Sequence, residues 1–434
     1  MRIWPTKRYW KRLAIGAAII VALALIANGF MTWQTERRLQ AKIAAIRAAG
    51  DPASIADLAP EPIPDEENAA AYLKRLKPQL NAFSKDYARF YNSPLGKAYE
   101  EADERGEPAT DEQIAAVRAI VDKYPDLDTG ITAAAQCERY ASVLDYTADR
   151  SNFMDELLKY ATDRQTARRF LQWRTNILIL DGRNKEGVER AIQLLRLARL
   201  SESEPTLLAF LVTAGLQGNA AETVYDALAA GPITSKQHAT LDQELSRQDD
   251  PKRLVYAIVT ERALCASWFD LPPNQPHRLW VSMIDWPMKS YLIGALEGSD
   301  DGLKLVGRPW HEVLAELKST DSQQGLGYGM LAKQHVGAAY RCHARSLAML
   351  RSVRIFNALR QFAEKNGHAA SGLEELNLPA AATIDPYSGE PLKLEHTADG
   401  WVIYSVMENG VDDGGDFRQL KDYGVAPPKR RLME

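Results

Sequence analysis

From Leu13 to Phe30 the chain reads LAIGAAIIVALALIANGF, eighteen residues without a charge. As a helix, that run spans about 27 Å, close to the hydrocarbon thickness of a bilayer. It constrains the fold more than any other feature, because a helix that is apolar on every side must be covered by protein or by lipid. Arg2, Lys7, Arg8, Lys11 and Arg12 precede it, with no acid among residues 1–12. A positive flank of this kind stays in the cytoplasm and sends the residues after 34 to the other side. Trp33 suits the far interface, and Trp4, Tyr9 and Trp10 suit the near one. The run is longer than the apolar core of about 7–15 residues in a cleaved signal peptide, and Leu25-Ile26-Ala27-Asn28 is a poor cleavage site. The expectation is an uncleaved, single-pass signal anchor over 1–34 in a bacterial inner membrane, N-terminus cytoplasmic and body periplasmic.

Charge narrows the partners. The 434 residues carry a net −4, so the chain beyond those five cations carries −9. An acidic body lacks the basic face that neutralises phosphates, which argues against nucleic acid as a partner. Cys137, Cys265 and Cys342 lie far apart without a CxxC pair. They read as small buried side chains, with one disulfide and one free thiol as the alternative.

Beyond the span, Thr35 to Ala49 predicts a helical stalk. Pro52, Pro60, Pro62 and Pro64 after Gly50 predict a linker, so stalk and linker occupy 35–64. Pro64-Asp65-Glu66-Glu67 reads as the first turn of a helix. Over 65–330 the pattern is that of a helical domain. In Gly187–Leu200 the residues Val188, Ala191, Ile192, Leu195 and Ala198 recur at helical spacing. Further helices are predicted over Thr206–Gln217 and Ala220–Ala230, the latter stopped by Gly231-Pro232. Such short helices suggest stacked hairpins. Residues 268–310 hold Trp268, Phe269, Trp280, Trp286, Tyr291 and Trp310 along with Pro272, Pro273, Pro276 and Pro287, and read as an irregular aromatic-rich segment over the helices. The competing reading is a sugar- or peptide-binding groove. The last region, 331–434, opens with a helix over Leu331–Asn366. Met349, Val353, Phe356, Leu359 and Phe362 form its apolar stripe, and Arg341, Arg345, Arg351, Arg354 and Arg360 are expected in solvent. Asn366-Gly367 stops it.

Catalytic signatures are missing from the sequence. Gly325-Leu326-Gly327-Tyr328-Gly329 lacks the leading strand and the Lys-Ser/Thr of a phosphate loop and reads as a turn. There is no GxSxG and no HExxH. His335 and His343, at i and i+8 on one helix, stand about two turns apart and cannot share an ion; they are expected to be solvated or hydrogen-bonded.

Chemistry concentrates at the C-terminal end, where residues 385–416 read DPYSGEPLKLEHTADGWVIYSVMENGVDDGGD. Two apolar runs flank an Asp-Gly turn, which predicts a β-hairpin. Asn409, Asp412, Asp413 and Asp416 then supply hard oxygen ligands, and Gly410, Gly414 and Gly415 allow a tight fold. Calcium takes about six to eight oxygens in flexible geometry, which a short loop of this composition can deliver. An exposed turn has the same composition, and the residues by themselves favour it.

The run from Asp385 to Leu392, the stretch Tyr404-Ser405-Val406-Met407-Glu408-Asn409-Gly410 and the Asp/Gly loop together resemble the C-terminal domain of type II secretion major pseudopilins. Asn366-Gly367 and the leucines Leu373 and Leu376 extend the resemblance upstream, so that it covers about residues 345–420. The whole chain is also similar to uncharacterised bacterial membrane-anchored proteins with the same tail. The resemblance implies a helix-plus-antiparallel-sheet module and a calcium loop. It stops short of a pilus role: Met407 replaces a glycine of that family, and most of the chain separates the apolar run from the module. The fold expected is mainly α: a transmembrane helix, an extracytoplasmic helical domain and a small C-terminal α+β module. The function expected is a membrane-anchored scaffold or interaction protein of the cell envelope, non-enzymatic, with protein partners. The alternative is an envelope enzyme or carbohydrate-binding protein using 268–310.

Overall fold

A computed structural model gives the structure of residues 7–105, 107–267, 279–321 and 328–427. It is mainly helical, at 72% helix, with a three-stranded sheet near the C-terminal end. The helices are α1 (Lys7–Ala48), α2 (Ala69–Tyr91), α3 (Pro94–Arg105), α4 (Asp111–Val121), α5 (Pro125–Gln136), α6 (Arg150–Leu180) and α7 (Asn184–Leu200). They continue with α8 (Leu207–Ala229), α9 (Ser235–Gln248), α10 (Lys252–Ala266), α11 (Leu279–Leu305), α12 (Trp310–Asp321) and α13 (Tyr328–Asn366). The strands are β1 (Lys393–Thr397), β2 (Gly400–Ser405) and β3 (Tyr423–Val425), antiparallel in that order.

The apolar run and the stalk form one unbroken helix. Along the run, Ile15, Ile20, Leu23 and Ile26 are exposed. Two turns beyond Phe30 the same helix enters the body: Leu39, Ile43 and Ile46 are buried against Leu292, Ile293 and Leu296 of α11. The proline-rich stretch after it is packed as well. Ala53, Ile55 and Leu58 are buried, the Ile55 amide donates to Ser267 Oγ at 2.8 Å, and Arg262 pairs with both Asp51 and Asp300. Only a single 3-10 turn, Ala56–Leu58, forms there, and the proline-rich composition does not prevent burial.

Local chemistry sets most helix starts. Thr110 and Thr234 form capping boxes with Gln113 and Gln237, and Asp149 accepts from the amides of Ser151 and Asn152. The acidic turn at 64–67 lies outside α2, whose N-cap is Asn68. Its carboxamide accepts from Ala70 N at 3.0 Å and also pairs with Ala141 in both directions, so the start is fixed from a distant segment. Residues 206–230, expected as two helices, form α8 alone. Ala220 and Ala221 are fully buried, and packing outweighs the cost of about 1 kcal/mol for a helical glycine at Gly218.

The main core gathers Phe83, whose ring meets Tyr124, Phe170 and Trp173 edge-on. Through it runs α13, buried on nearly every side from Ala344 to Asn357. This corrects the solvent position expected for Arg351 and Arg354. Both are buried, Arg351 paired with Asp249 at 2.8 Å and Arg354 with Asp242 at 2.7 Å. Residues 279–305, expected to be irregular, are helix, while the rest of the aromatic stretch at 268–278 lies outside the described residues, as does most of 325–329. The three cysteines are free and only half-buried.

His343 is neither solvated nor hydrogen-bonded. It is 2% exposed, both ring nitrogens lack a hydrogen-bond partner, and it lies against Phe210 and Trp310.

Candidate functional site

The hairpin closes through Thr397 opposite Gly400, with Ile403 and Val402 buried and Ile403 also opposite Val425. The module lies on α13: the Arg345 guanidinium sits over the Tyr423 ring at 4.6 Å, and Arg351 Nη1 donates to Ile384 O at 2.7 Å. Its centre is Asp385, 1% exposed. Oδ1 accepts from Ser405 Oγ at 2.7 Å and Tyr387 N at 2.9 Å; Oδ2 accepts from Val406 N at 3.1 Å and Ser388 Oγ at 3.2 Å. The two sequence motifs are thus one knot, in which the carboxylate of the first holds the serine and valine of the second. A carboxylate accepting several donors from chain segments without regular structure fixes their backbone at low cost in desolvation.

Met407 has φ 51°, in the left-handed region that favours glycine. A side chain there costs about 1–2 kcal/mol. The Met407 side chain is buried, and it lines a cleft of about 430 Å³ with His311, Leu314, Lys318, Arg341 and Tyr387. Burial of a methionine, about 1.5–3 kcal/mol, offsets the strain. Lys318 Nζ donates to Glu408 O at 2.9 Å across the same cleft and ties α12 to the module.

In the acidic loop the four predicted ligands fall into three separate sets of contacts, Asn409 and Asp413 bonding each other. Asp412 Oδ1 accepts from Tyr404 Oη at 2.8 Å and from Gly414 N at 3.1 Å. Those donors, the tyrosine first, hold its pKa below the ordinary carboxylate value. Asp413 Oδ2 accepts from Asn409 Nδ2 at 2.8 Å, and Asn409 Oδ1 accepts from Val411 N. Asp416 is held by Arg418 at 2.8 Å and Lys421 at 2.9 Å, which push its pKa far down. Among the described residues, no group of three or more His, Cys, Asp or Glu side chains is placed to hold a metal ion.

A further carboxylate, Asp422, was not picked out by the sequence. It is fully buried beneath the loop. Gly414 and Gly415, with φ of 72° and 74°, curl the chain so that the amides of Gly415 and Asp416 donate to Asp422 Oδ2 at 2.8 and 3.1 Å. Oδ1 has no hydrogen-bond partner, and burial raises the pKa of the group. The paired glycines were the available signal, since two left-handed residues in succession turn amide groups towards one point. Nothing in RQLKDYGV itself marks the aspartate as the group they face.

Comparison of the chain with protein-family models, with curated proteins and with solved structures gave no match.

Proposed function

We propose that this chain is a single-pass membrane-anchored scaffold or interaction protein of the bacterial envelope, without catalytic activity of its own. The N-terminus is cytoplasmic and the body periplasmic. The observation that carries the reading is the continuity of α1: the helix with an exposed, uncharged run, long and apolar enough to cross a membrane, continues without a break into the buried core of the body. The packed residues Leu39, Ile43 and Ile46 follow the run on the same helix, which ties its outer end to the body. The positive flank supports the orientation. The groove reading of the aromatic segment has less support, because 279–305 is helix and Trp310 packs against Tyr340 and His343.

In the same reading calcium closes the C-terminal loop, with Asn409, Asp412, Asp413 and Asp416 joined by Asp422. The support is the unpartnered Oδ1 of that buried carboxylate. Orientation is tested by protease added outside spheroplasts of cells producing the full chain. Digestion of residues 49–427 is expected; full protection of the body, with loss of an N-terminal tag, would reverse the topology.

A further inference from the structure

We propose that the amino-terminal turns of α11, residues 279–288, sit in the outer interface of the bilayer that α1 crosses, so that the body touches lipid at two places. The inference rests on the membrane-anchor reading and goes beyond it.

The geometry follows from how α1 and α11 pair. Lys289 Nζ bonds Glu36 at 2.6 Å, and Lys42 Nζ bonds Asp300 at 2.5 Å. Lower residues of one helix meet lower residues of the other, so the two run in the same direction. Leu39, between the ion pairs, and Ile43 and Ile46, just beyond Lys42, share one apolar cluster with Leu292, Ile293 and Leu296 of α11. The contact fixes the level of each helix against the other.

Counting back from the lower ion pair gives the depth. Phe30, where the apolar run ends, lies six residues before Glu36, or about 9 Å along the axis. The ten residues from Leu279 to Met288 precede Lys289 and extend about 15 Å in the same direction. The start of α11 therefore reaches the level of the outer end of the apolar run. An interfacial helix is immersed to about 5–10 Å in the headgroup and acyl boundary, which matches that depth.

The sequence at that level fits the environment. Residues 279–288 read LWVSMIDWPM, with one charge, Asp285, and that carboxylate is bonded to Lys289 at 2.8 Å. Trp286 falls close to the height of Trp33, which is 54% exposed and carries Arg37 over its ring at 5.0 Å. Tryptophan is enriched at this boundary because its ring is apolar and its N–H is polar. The backbone of 279–288, parallel to the spanning helix, stands at the level where headgroups meet acyl chains, and Trp286 and Met288 there are partly exposed. Two points of contact fix the tilt of α1 and stop the body from rotating about it, which one spanning helix cannot do.

The test uses the full chain reconstituted in vesicles of phosphatidylethanolamine and phosphatidylglycerol that carry a photoactivatable diazirine on the acyl chain near the carbonyl. Labelled peptides are mapped by mass spectrometry. The expected result is label on 13–30 and on 279–288, the latter about tenfold above α9, which faces no bilayer. Label on 13–30 with 279–288 no higher than α9 overturns the inference and leaves the anchor intact. Label on neither segment overturns both.

Discussion

The helical body and the C-terminal module bury their charges in different ways. In the body, a carboxylate meets a guanidinium from another helix. Arg164 of α6 pairs with Glu204 at 2.9 Å, Arg253 of α10 with Glu202, and Arg354 of α13 with Asp242 of α9. In the module, Asp385 and Asp422 meet amide groups and hydroxyls instead. The difference follows from what each region must fix. Helices already satisfy their own amides, so only side chains are left to set how one helix sits on another. The module is mostly loop, its amides need acceptors, and a carboxylate that gathers several of them defines the chain path directly.

The largest test of this contrast is at Arg164. It is 4% exposed, Glu204 is 3% exposed, and Tyr140 and Ser142 donate to the same carboxylate. Arg164→Met leaves that carboxylate buried without its cation, and a loss of about 3–5 kcal/mol in denaturant unfolding is expected. The double variant Arg164→Met/Glu204→Leu should recover most of it. If the single variant costs less than about 1 kcal/mol, the pair is not what sets the packing of α6 against the 201–206 turn.

His343 gives the next effect and a pH signature. Burial lowers its pKa from 6.5 to about 4; Asp249 and Asp250 oppose the shift, and Arg351 and Arg253 add to it. The folded protein prefers the neutral ring, and the unfolded chain takes up the proton first. Stability is therefore complete above pH 6.5 and declines as pH falls towards 4, by about 3 kcal/mol in total. His343→Leu should flatten unfolding free energy between pH 6.5 and 4.5, where most carboxylates have not yet titrated. An unchanged slope would show that the ring is not held neutral against Phe210 and Trp310.

The same contrast explains what could be read from the chain. The module was legible because its chemistry is local: the hairpin, its turn and both halves of the Asp385 knot lie within 385–406. Helices with an even apolar repeat, such as α7, were equally plain. The arginines of α13 were misplaced because a periodic stripe says which face is apolar and nothing about partners. Asp242 and Asp249, which draw Arg354 and Arg351 inwards, lie about a hundred residues upstream. Asn68 illustrates the same limit, since Ala141, not the acidic turn beside it, fixes where α2 begins. His343 was missed for a related reason: the rings that enclose it come from α8 and α12. The packed stretch at 51–58 shows that a proline-rich composition does not exclude burial, since Ala53, Ile55 and Leu58 enter the core there.

Calcium at the acidic loop gives the smallest effect and bears on the module side of the comparison. There the loop carboxylates already have partners, so an ion competes with them. Asp416 must release Arg418 and Lys421, while Asp422 Oδ1 has nothing to release. A weak site is therefore expected, in the range of about 10⁻⁴–10⁻³ M seen for extracellular modules. At calcium about tenfold above that constant, the full chain in detergent gains about 1.4 kcal/mol. The rise in melting temperature should disappear in Asp412→Ala/Asp416→Ala. Removing the competitors, in Arg418→Ala/Lys421→Ala, should make the shift appear at lower calcium. A shift that survives the aspartate variant would move the ion elsewhere in the molecule. No shift at millimolar calcium would leave the module held by Asp385 and Asp422 through amide groups alone, a protein-only counterpart to the ion pairs of the body.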